Sequence, residues 1–370
     1  MRESSLLNLF FTLDPRLRGD DIFKGDLFFM NNFWGKTKRP ILALAPMAGI
    51  TDSAFRQICR RYGADVAYSE MASATALFYS PKKTLELIKF NKKERPYVVQ
   101  LFGKDPAHFA KATEIITKQV KPDGIDINFG CPSKKVFGHG SGCALMPQKE
   151  LAREIILAVC ENTDLPVSIK IRAGIRGNDK CTYLCNDIKN NSFISALEFI
   201  ENTKDLPYSA VMIHCRTYED GFSGPVDFKI AQEIKKTIPD KIVLGNGGIN
   251  SPEDAIKILR DYPLLDGLGI ARGAWGRPWI FEEIKELLNH QNHRSSTPIS
   301  ELSSDDFDFS NIKKIMLRHA KLIHKNKGKT GLFEIRKHMA WYVKGFPGAS
   351  ELRRKLVLAE SLEEIKKILK

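Results

Sequence analysis

From Pro40 onward, short apolar runs alternate with longer amphipathic segments. Eight such runs stand out: Ile41–Ala45, Val66–Ser69, Val98–Phe102, Gly124–Asn128, Val167–Ile171, Ala210–His214, Ile242–Gly245 and Gly267–Ala271. Each is short, and the fourth, Gly124–Asn128, alternates apolar and polar residues, the pattern of a buried strand. The segments between them read as helices with start signals. Asp52 precedes the apolar spacing of Phe55 and Ile58, and Ser251-Pro252-Glu253-Asp254 opens a helix through Leu259. Eight strand–helix repeats over about 250 residues fit an α/β (β/α)8 TIM barrel better than an open doubly wound sheet, which stays as the alternative.

The pattern changes after the last barrel helix. Residues 289–310 are Ser-rich and acidic, as in Ser303-Ser304-Asp305-Asp306, and read as a linker. Beyond them Ile312–Lys325, Thr330–Trp341, Ser350–Val357 and Ser361–Lys370 have helical periodicity, with breaks at Lys327-Gly328-Lys329 and Gly345-Phe346-Pro347-Gly348. Leu332, Ile335, Met339, Tyr342 and Val343 share one face and are expected to pack. The expected organisation is a poorly ordered extension at 1–29, a barrel at 30–288, the linker at 289–310 and a small all-α domain at 311–370.

Charge sharpens that division. Residues 311–370 hold 16 Lys and Arg against 5 Asp and Glu, a net +11, while the other 310 residues, with 41 against 39, carry only +2 of the total +13. A basic segment can be no more than a solvated helix face. Concentrated in one appendage, it favours a polyanion partner, most simply a nucleic acid. No run approaches the roughly 18 to 20 apolar residues of a membrane span. The Leu6–Leu13 run is short and is followed by charged Asp14–Asp21 rather than a cleavage site, and the seven cysteines form no regular framework. Together these point to the cytoplasm.

Every unusual polar or glycine-rich tract falls just after one of the eight runs, where barrel strands converge on one catalytic mouth. Gly245-Asn246-Gly247-Gly248 lets backbone N–H groups approach an anion, with the helix opening at Ser251 behind it. Ile270-Ala271-Arg272-Gly273 adds a cation. This pair of loops is expected to hold a phosphate-bearing ligand. Gln100, Lys170 and His214 place amide, cationic and imidazole donors at three further strand ends, suited to an anion developing on a bound heteroaromatic ring such as a reduced flavin. Each alone is as well explained by a satisfied hydrogen bond.

Cys131 ends the fourth run, in Gly130-Cys131-Pro132. A lone cysteine more often simply packs. In this company it is a candidate proton donor, since a thiol with a pKa of about 8.5 is protonated at neutral pH. Cys143, in Gly140-Ser141-Gly142-Cys143, is the rival thiol. Cys181 and Cys185 lack two further ligands at zinc spacing, so no metal is expected.

These tracts resemble a known family. Leu44-Ala45-Pro46-Met47-Ala48-Gly49-Ile50-Thr51-Asp52, Val99–Gly103, Asp126–Val136 with its Asn-x-Gly-Cys-Pro core, Ser168–Arg172, His214–Thr217 and Gly245–Ile249 are similar, in this order, to the tRNA-dihydrouridine synthases, most closely the bacterial branch, over roughly residues 33–368. The resemblance implies an FMN-binding barrel followed by a helical tRNA-binding domain. Such an enzyme reduces the C5–C6 double bond of a D-loop uridine in tRNA, with hydride from reduced FMN to C6, a proton from Cys131 to C5 and NADPH as reductant.

By the same resemblance Gln100, Lys170 and His214 look like flavin-ring contacts. Pro46 and Met47 would lie against the flavin, and Asn246, Gly247, Gly248, Arg272 and Gly273 would surround its phosphate. Asn128 looks like a uracil contact, and Arg216 like a substrate or flavin contact. Two departures stand out: Cys143 occupies a place usually held by Ser or Ala, and residues 172–192 are longer than the family pattern. Another FMN barrel oxidoreductase acting on a free pyrimidine has no use for a +11 appendage, and a non-catalytic RNA-binding barrel has no use for a flavin. Both remain the alternatives.

Overall fold

The structure is a computed structural model and describes residues 32–176, 193–292 and 309–370, the side chains of 291–292 excepted. The expected extension at 1–29, the Cys181/Cys185 pair, most of the long segment after the fifth run and residues 293–308 of the linker lie outside the described residues, while the linker's two ends belong to the flanking helices Ile280–Asn292 and Phe309–Glu334. The chain forms two units, residues 1–37 and 38–370. Of the first, the described part is a short helix, Phe33–Lys36, capped by Asn32, whose Oδ1 accepts from the Trp34 N–H at 2.9 Å.

The second unit begins with strand β1 (Ile41–Leu44), followed by β2 (Val66–Tyr68), β3 (Ala72–Ser73), β4 (Tyr97–Phe102), β5 (Gly124–Asn128), β6 (Val167–Arg176), β7 (Phe193–Ser195), β8 (Ala210–Thr217), β9 (Ile242–Asn246) and β10 (Gly267–Ile270). Parallel pairing runs β2-β1-β10-β9-β8-β6-β5-β4, and β2 pairs with β4 to close the ring. The eight ring strands are the eight apolar runs, so the barrel expected from periodicity is the fold. The additional strands, β3 beside β4 and an antiparallel β7 on the extended end of β6, span two and three residues. Segments that short carry no legible alternation.

Closure follows from the sequence. Ile41, Leu42, Ala43 and Leu44 are all fully buried, as are Ile125, Ile127, Ile169 and Ile171. A strand such as β1, with no polar face, has to be covered on both sides, whereas β5 and β6 turn their isoleucines one way and Asp126, Asn128, Ser168 and Lys170 the other; a helix follows each ring strand. The helix starts are held as their caps require. The Phe55 N–H donates to Asp52 Oδ1 at 3.0 Å, and Ser251 and Asp254 form a reciprocal capping box at the head of Pro252–Asp261. Under the first barrel helix, Ser53–Arg61, the fully buried pair Arg56–Glu94 meets at 2.6 Å, and the Arg56 guanidinium also donates to the carbonyls of Thr51 and Lys89. Both charges are thereby satisfied without water.

The C-terminal helices are Phe309–Glu334, kinked at Gly328 (φ 58°), then Arg336–Tyr342, Ala349–Leu358 and Leu362–Leu369. The expected breaks at 327–329 and 345–348 are there. Leu332, Ile335, Met339, Tyr342 and Val343 are all buried, each burial being worth about 1.5–3 kcal/mol before entropy. Their core also takes in Ala54 and Ile58 of the first barrel helix and Trp279, so these helices pack directly on the barrel.

Candidate active site at the barrel mouth

Register decides which side chains meet. Pairing sets Gln100 beside Asp126, Asp126 beside Ser168, and Asn128 beside Lys170. It sets Arg172 beside His214 and His214 beside Asn246. Five strands, β4, β5, β6, β8 and β9, thus deliver one contiguous polar surface to the C-terminal end of the barrel. A cavity of about 710 Å³ opens there, within the range of cofactor sites. Pro46, Met47, Gln100, Asn128, Cys131, Lys170, His214, Arg216, Asn246, Gly247, Gly248 and Arg272 all line it. Gly273 stands behind the wall, where a Cβ would lie 2.4 Å from the Ile249 carbonyl oxygen, so it lets the two glycine loops pack together.

Cys131 is held by its own strand end. Asn128 Oδ1 accepts from the N–H groups of Gly130 at 3.0 Å and Cys131 at 2.9 Å. Burial pushes the thiol above its ordinary pKa, against weaker opposite pulls from the Ser133 backbone, Arg172 and Lys170, so the thiol is protonated. Cys143 is fully buried, its thiol pushed up to about 12, and its N–H donates to the Cys131 carbonyl at 3.2 Å. Of the two rivals, Cys131 faces the cavity and Cys143 supports its loop.

The donors divide the mouth electrostatically. Burial and Arg172 push Lys170 down to about 8, and its Nζ donates to Asn246 Oδ1 at 3.2 Å. Burial, reinforced by Lys170, Arg172, Arg216 and Arg272, pushes His214 down to about 2, so its ring is neutral at physiological pH. Toward the glycine tract, Arg216 Nε donates to the Gly224 carbonyl at 2.6 Å, while its buried Nη1 has no partner among the described residues. That orphan N–H lies 3.6 Å from where a Gly247 Cβ would be. A buried guanidinium N–H beside a glycine tract fits an anion, and the wall of Pro46, Met47 and Ala48 in the same cavity fits a planar ring. The residues present therefore suit a phosphate-bearing flavin.

Several lining residues were not singled out from sequence. Arg172 is fully buried and donates to the carbonyls of Gly130 at 3.1 Å, Thr217 at 2.6 Å and Gly221 at 2.8 Å. Phe222, 57% exposed, sits under the guanidinium groups of Arg172 and Arg272 at 5.4 and 5.8 Å from its ring centre. Its only sequence signal is an aromatic residue between glycines in Gly221-Phe222-Ser223-Gly224. Trp275 donates to Met47 Sδ at 3.2 Å and stacks on Trp341 with ring centres 4.4 Å apart. Lys337, on the same helix as Trp341, donates to the Gly49 carbonyl, whose own N–H donates to Glu70. The C-terminal helices thereby supply part of the cavity wall.

A closed parallel barrel that gathers its polar residues on one rim is the architecture of a barrel enzyme. Comparison with known proteins narrows the class. The sequence profile of the family described as dihydrouridine synthase (Dus) matches residues 43–370. The tRNA-dihydrouridine synthase B of Pseudomonas aeruginosa is 35% identical over 313 residues, spanning 84% of this chain and 86% of the relative. That of Vibrio vulnificus is 34% identical over 314 residues, spanning 85% and 89%. Among solved structures, histamine dehydrogenase from Rhizobium sp. 4-9 shares the fold at a TM-score of 0.51 and 14% identity, over 77% of this chain and 49% of that one. The chain belongs to the dihydrouridine synthase family. No described helix is long and apolar enough to cross a membrane, and no group of His, Cys, Asp and Glu among the described residues could hold a metal ion.

Proposed function

We propose that this chain works in the cytoplasm and reduces the C5–C6 double bond of a D-loop uridine in tRNA, with FMN held at the mouth and NADPH as reductant. The observation that carries this reading is the clamped, protonated Cys131 thiol facing a cavity whose other wall suits a flavin. Gln100, Lys170 and His214 would face the ring, and Asn246, Gly247, Gly248, Arg216 and Arg272 the phosphate. Bound there, the flavin supplies hydride to uracil C6. Cys131 gives its proton to C5 as that carbon gains electron density, and the thiolate left behind lies in the field of Lys170 and Arg172. The electron pair of the C5–C6 bond thus ends in the new C–H bond at C5.

A base inside folded tRNA has to be swung out to reach the mouth, at a cost of a few kcal/mol. Phosphate contacts from the basic helices would offset that cost and position the tRNA without reading sequence. Lys325 and Lys329 are exposed on the first of those helices and Lys344 in the turn that follows the second. Replacing all three with Gln is expected to lower the slope of log Kd against log salt by about 2 and leave flavin content unchanged. An unaltered slope in a filter-binding titration would place the tRNA elsewhere.

The electrostatics also set a pH dependence. Because burial depresses Lys170 to about 8, the flavin-free protein carries this charge below that pH and loses it above. An anionic ligand binds the cationic form, so FMN affinity is expected to fall between about pH 7 and pH 9, by at most about tenfold per pH unit. A fluorescence titration that stays flat across this window would remove Lys170 from the flavin's charge balance. The reaction itself is tested by mapping dihydrouridine in tRNA from cells with and without this protein. Identical maps would reject it.

A further inference from the structure

One buried ionisable group has no part in the reaction above. Asp126 lies in the middle of β5, fully buried, inside the barrel. Its Oδ1 accepts from Ser168 Oγ at 2.6 Å and its Oδ2 from Gln100 Nε2 at 2.7 Å. Gln100 Oε1 in turn accepts from Asn128 Nδ2 at 2.9 Å, and Asn128 Oδ1 accepts from the Gly130 and Cys131 N–H groups. The hydrogen bonds form one continuous chain from the barrel interior to the thiol loop.

Each orientation in the chain is forced from both ends. Backbone N–H groups only donate, so the atom of Asn128 that meets them has to be oxygen and its NH2 has to face Gln100. The Gln100 atom facing that NH2 is then oxygen, and the Gln100 NH2 faces Asp126. A group with an acceptor at that place completes the chain, and a carboxylate oxygen is one. Gln100 then has one N–H left over, the other Asn128 N–H meets only the weak acceptor Met71 Sδ at 3.9 Å, and both amide side chains line the mouth.

We propose that Asp126 is a positioning residue: as the terminal acceptor it fixes the direction of the Asp126–Gln100–Asn128 chain, which clamps the Cys131 loop and makes both amides donors only toward the mouth. A donor-only Asn128 pairs with a carbonyl oxygen and repels an amino group. This part rests on the proposed reaction, in which the base is uracil, which bears a carbonyl at C4 where cytosine bears an amino group.

The requirement is for an acceptor, and the charge itself is not needed. Asn in place of Asp126 can turn its oxygen toward Gln100 and its NH2 toward the Ser168 hydroxyl, which also accepts. Leu, with the same branching at Cγ but greater bulk, can do neither.

The test compares Asp126→Asn with Asp126→Leu by the rate at which iodoacetamide alkylates Cys131, read by peptide mass spectrometry on flavin-free and flavin-loaded protein. Leu is expected to speed alkylation about fivefold by loosening the loop, and Asn to keep it near wild type. In flavin-loaded protein, Leu is also expected to slow reoxidation by tRNA about tenfold, with flavin reduction by NADPH little changed.

Gln100→Glu gives an independent check should the Leu variant fail to fold. Two facing carboxyl groups keep the chain's direction only while they share a proton. Its alkylation rate relative to wild type is therefore expected to rise severalfold between about pH 6 and pH 8. The proposal is overturned if Asn behaves as Leu does, if the Leu variant matches wild type, or if the Gln100→Glu ratio is flat with pH. A wild-type protein that forms no dihydrouridine would sink the proposed reaction instead, while the alkylation comparison still decides the clamp.

Discussion

Cys131→Ala is expected to leave flavin reduction by NADPH within about twofold of wild type while slowing dihydrouridine formation by about 10²–10⁴, the usual contribution of a positioned general acid. The two half-reactions separate because, in the proposed reaction, the thiol acts on the uracil and takes no part in flavin reduction. Its neighbourhood fits that division. Burial keeps it protonated before the reaction, and the cations of Lys170 and Arg172 stand ready to favour the thiolate afterwards. Cys143 cannot take over, since it is fully buried behind the loop with its thiol pushed up to about 12. Cys143→Ala should therefore change turnover little. Rapid-mixing absorbance at the flavin bands, with NADPH and tRNA added separately, measures both steps. Full dihydrouridine formation by Cys131→Ala would remove this thiol from the chemistry.

Gly247→Ala is expected to yield protein that purifies without flavin and binds added FMN on the order of 100-fold more weakly, from about 3 kcal/mol of combined strain and overpacking. Gly247 has φ +114°, a conformation that side-chain-bearing residues rarely adopt. An added Cβ would also lie 2.7 Å from the His214 ring and 3.6 Å from Arg216 Nη1. The loop then has to retreat from the two side chains with which it forms the anion end of the mouth. Absorbance spectra and an FMN titration check this. Wild-type affinity would mean that the phosphate is held somewhere other than this tract.

The ring strands were legible because each carries a short buried apolar run, continuous in Ile41–Leu44 and alternating with Asp126 in Ile125–Ile127. Their ends could be read as a site because a barrel sends all such ends to one mouth, so Gln100, Cys131, Lys170, His214 and the Asn246–Gly248 tract came together as expected. Whether each performs its expected task is for the experiments above.

What sequence could not supply was the contribution of elements whose direction is set by docking. Lys337 and Trp341 sit on a helix legible only as amphipathic. Its packing on Phe55 through His338, with ring centres 4.8 Å apart, is what turns them toward the mouth. Phe222 lies in a loop without periodicity. The place of Asp126 depended on register, which turns a residue of a familiar motif into a buried acceptor beneath Gln100.

The shared core between the barrel and the last helices has an evolutionary and practical consequence. Ala54, Ile58 and Trp279 on the barrel side interlock with Ile312, Met316 and Ile335 across the boundary, and Trp275 rests on Trp341. The C-terminal helices therefore do not behave as an interchangeable cassette. Grafted from a relative, they would arrive without their matching surface and leave the cavity short of one wall. Change on either side of this seam has to be answered on the other, which ties the divergence of the C-terminal helices to that of the barrel.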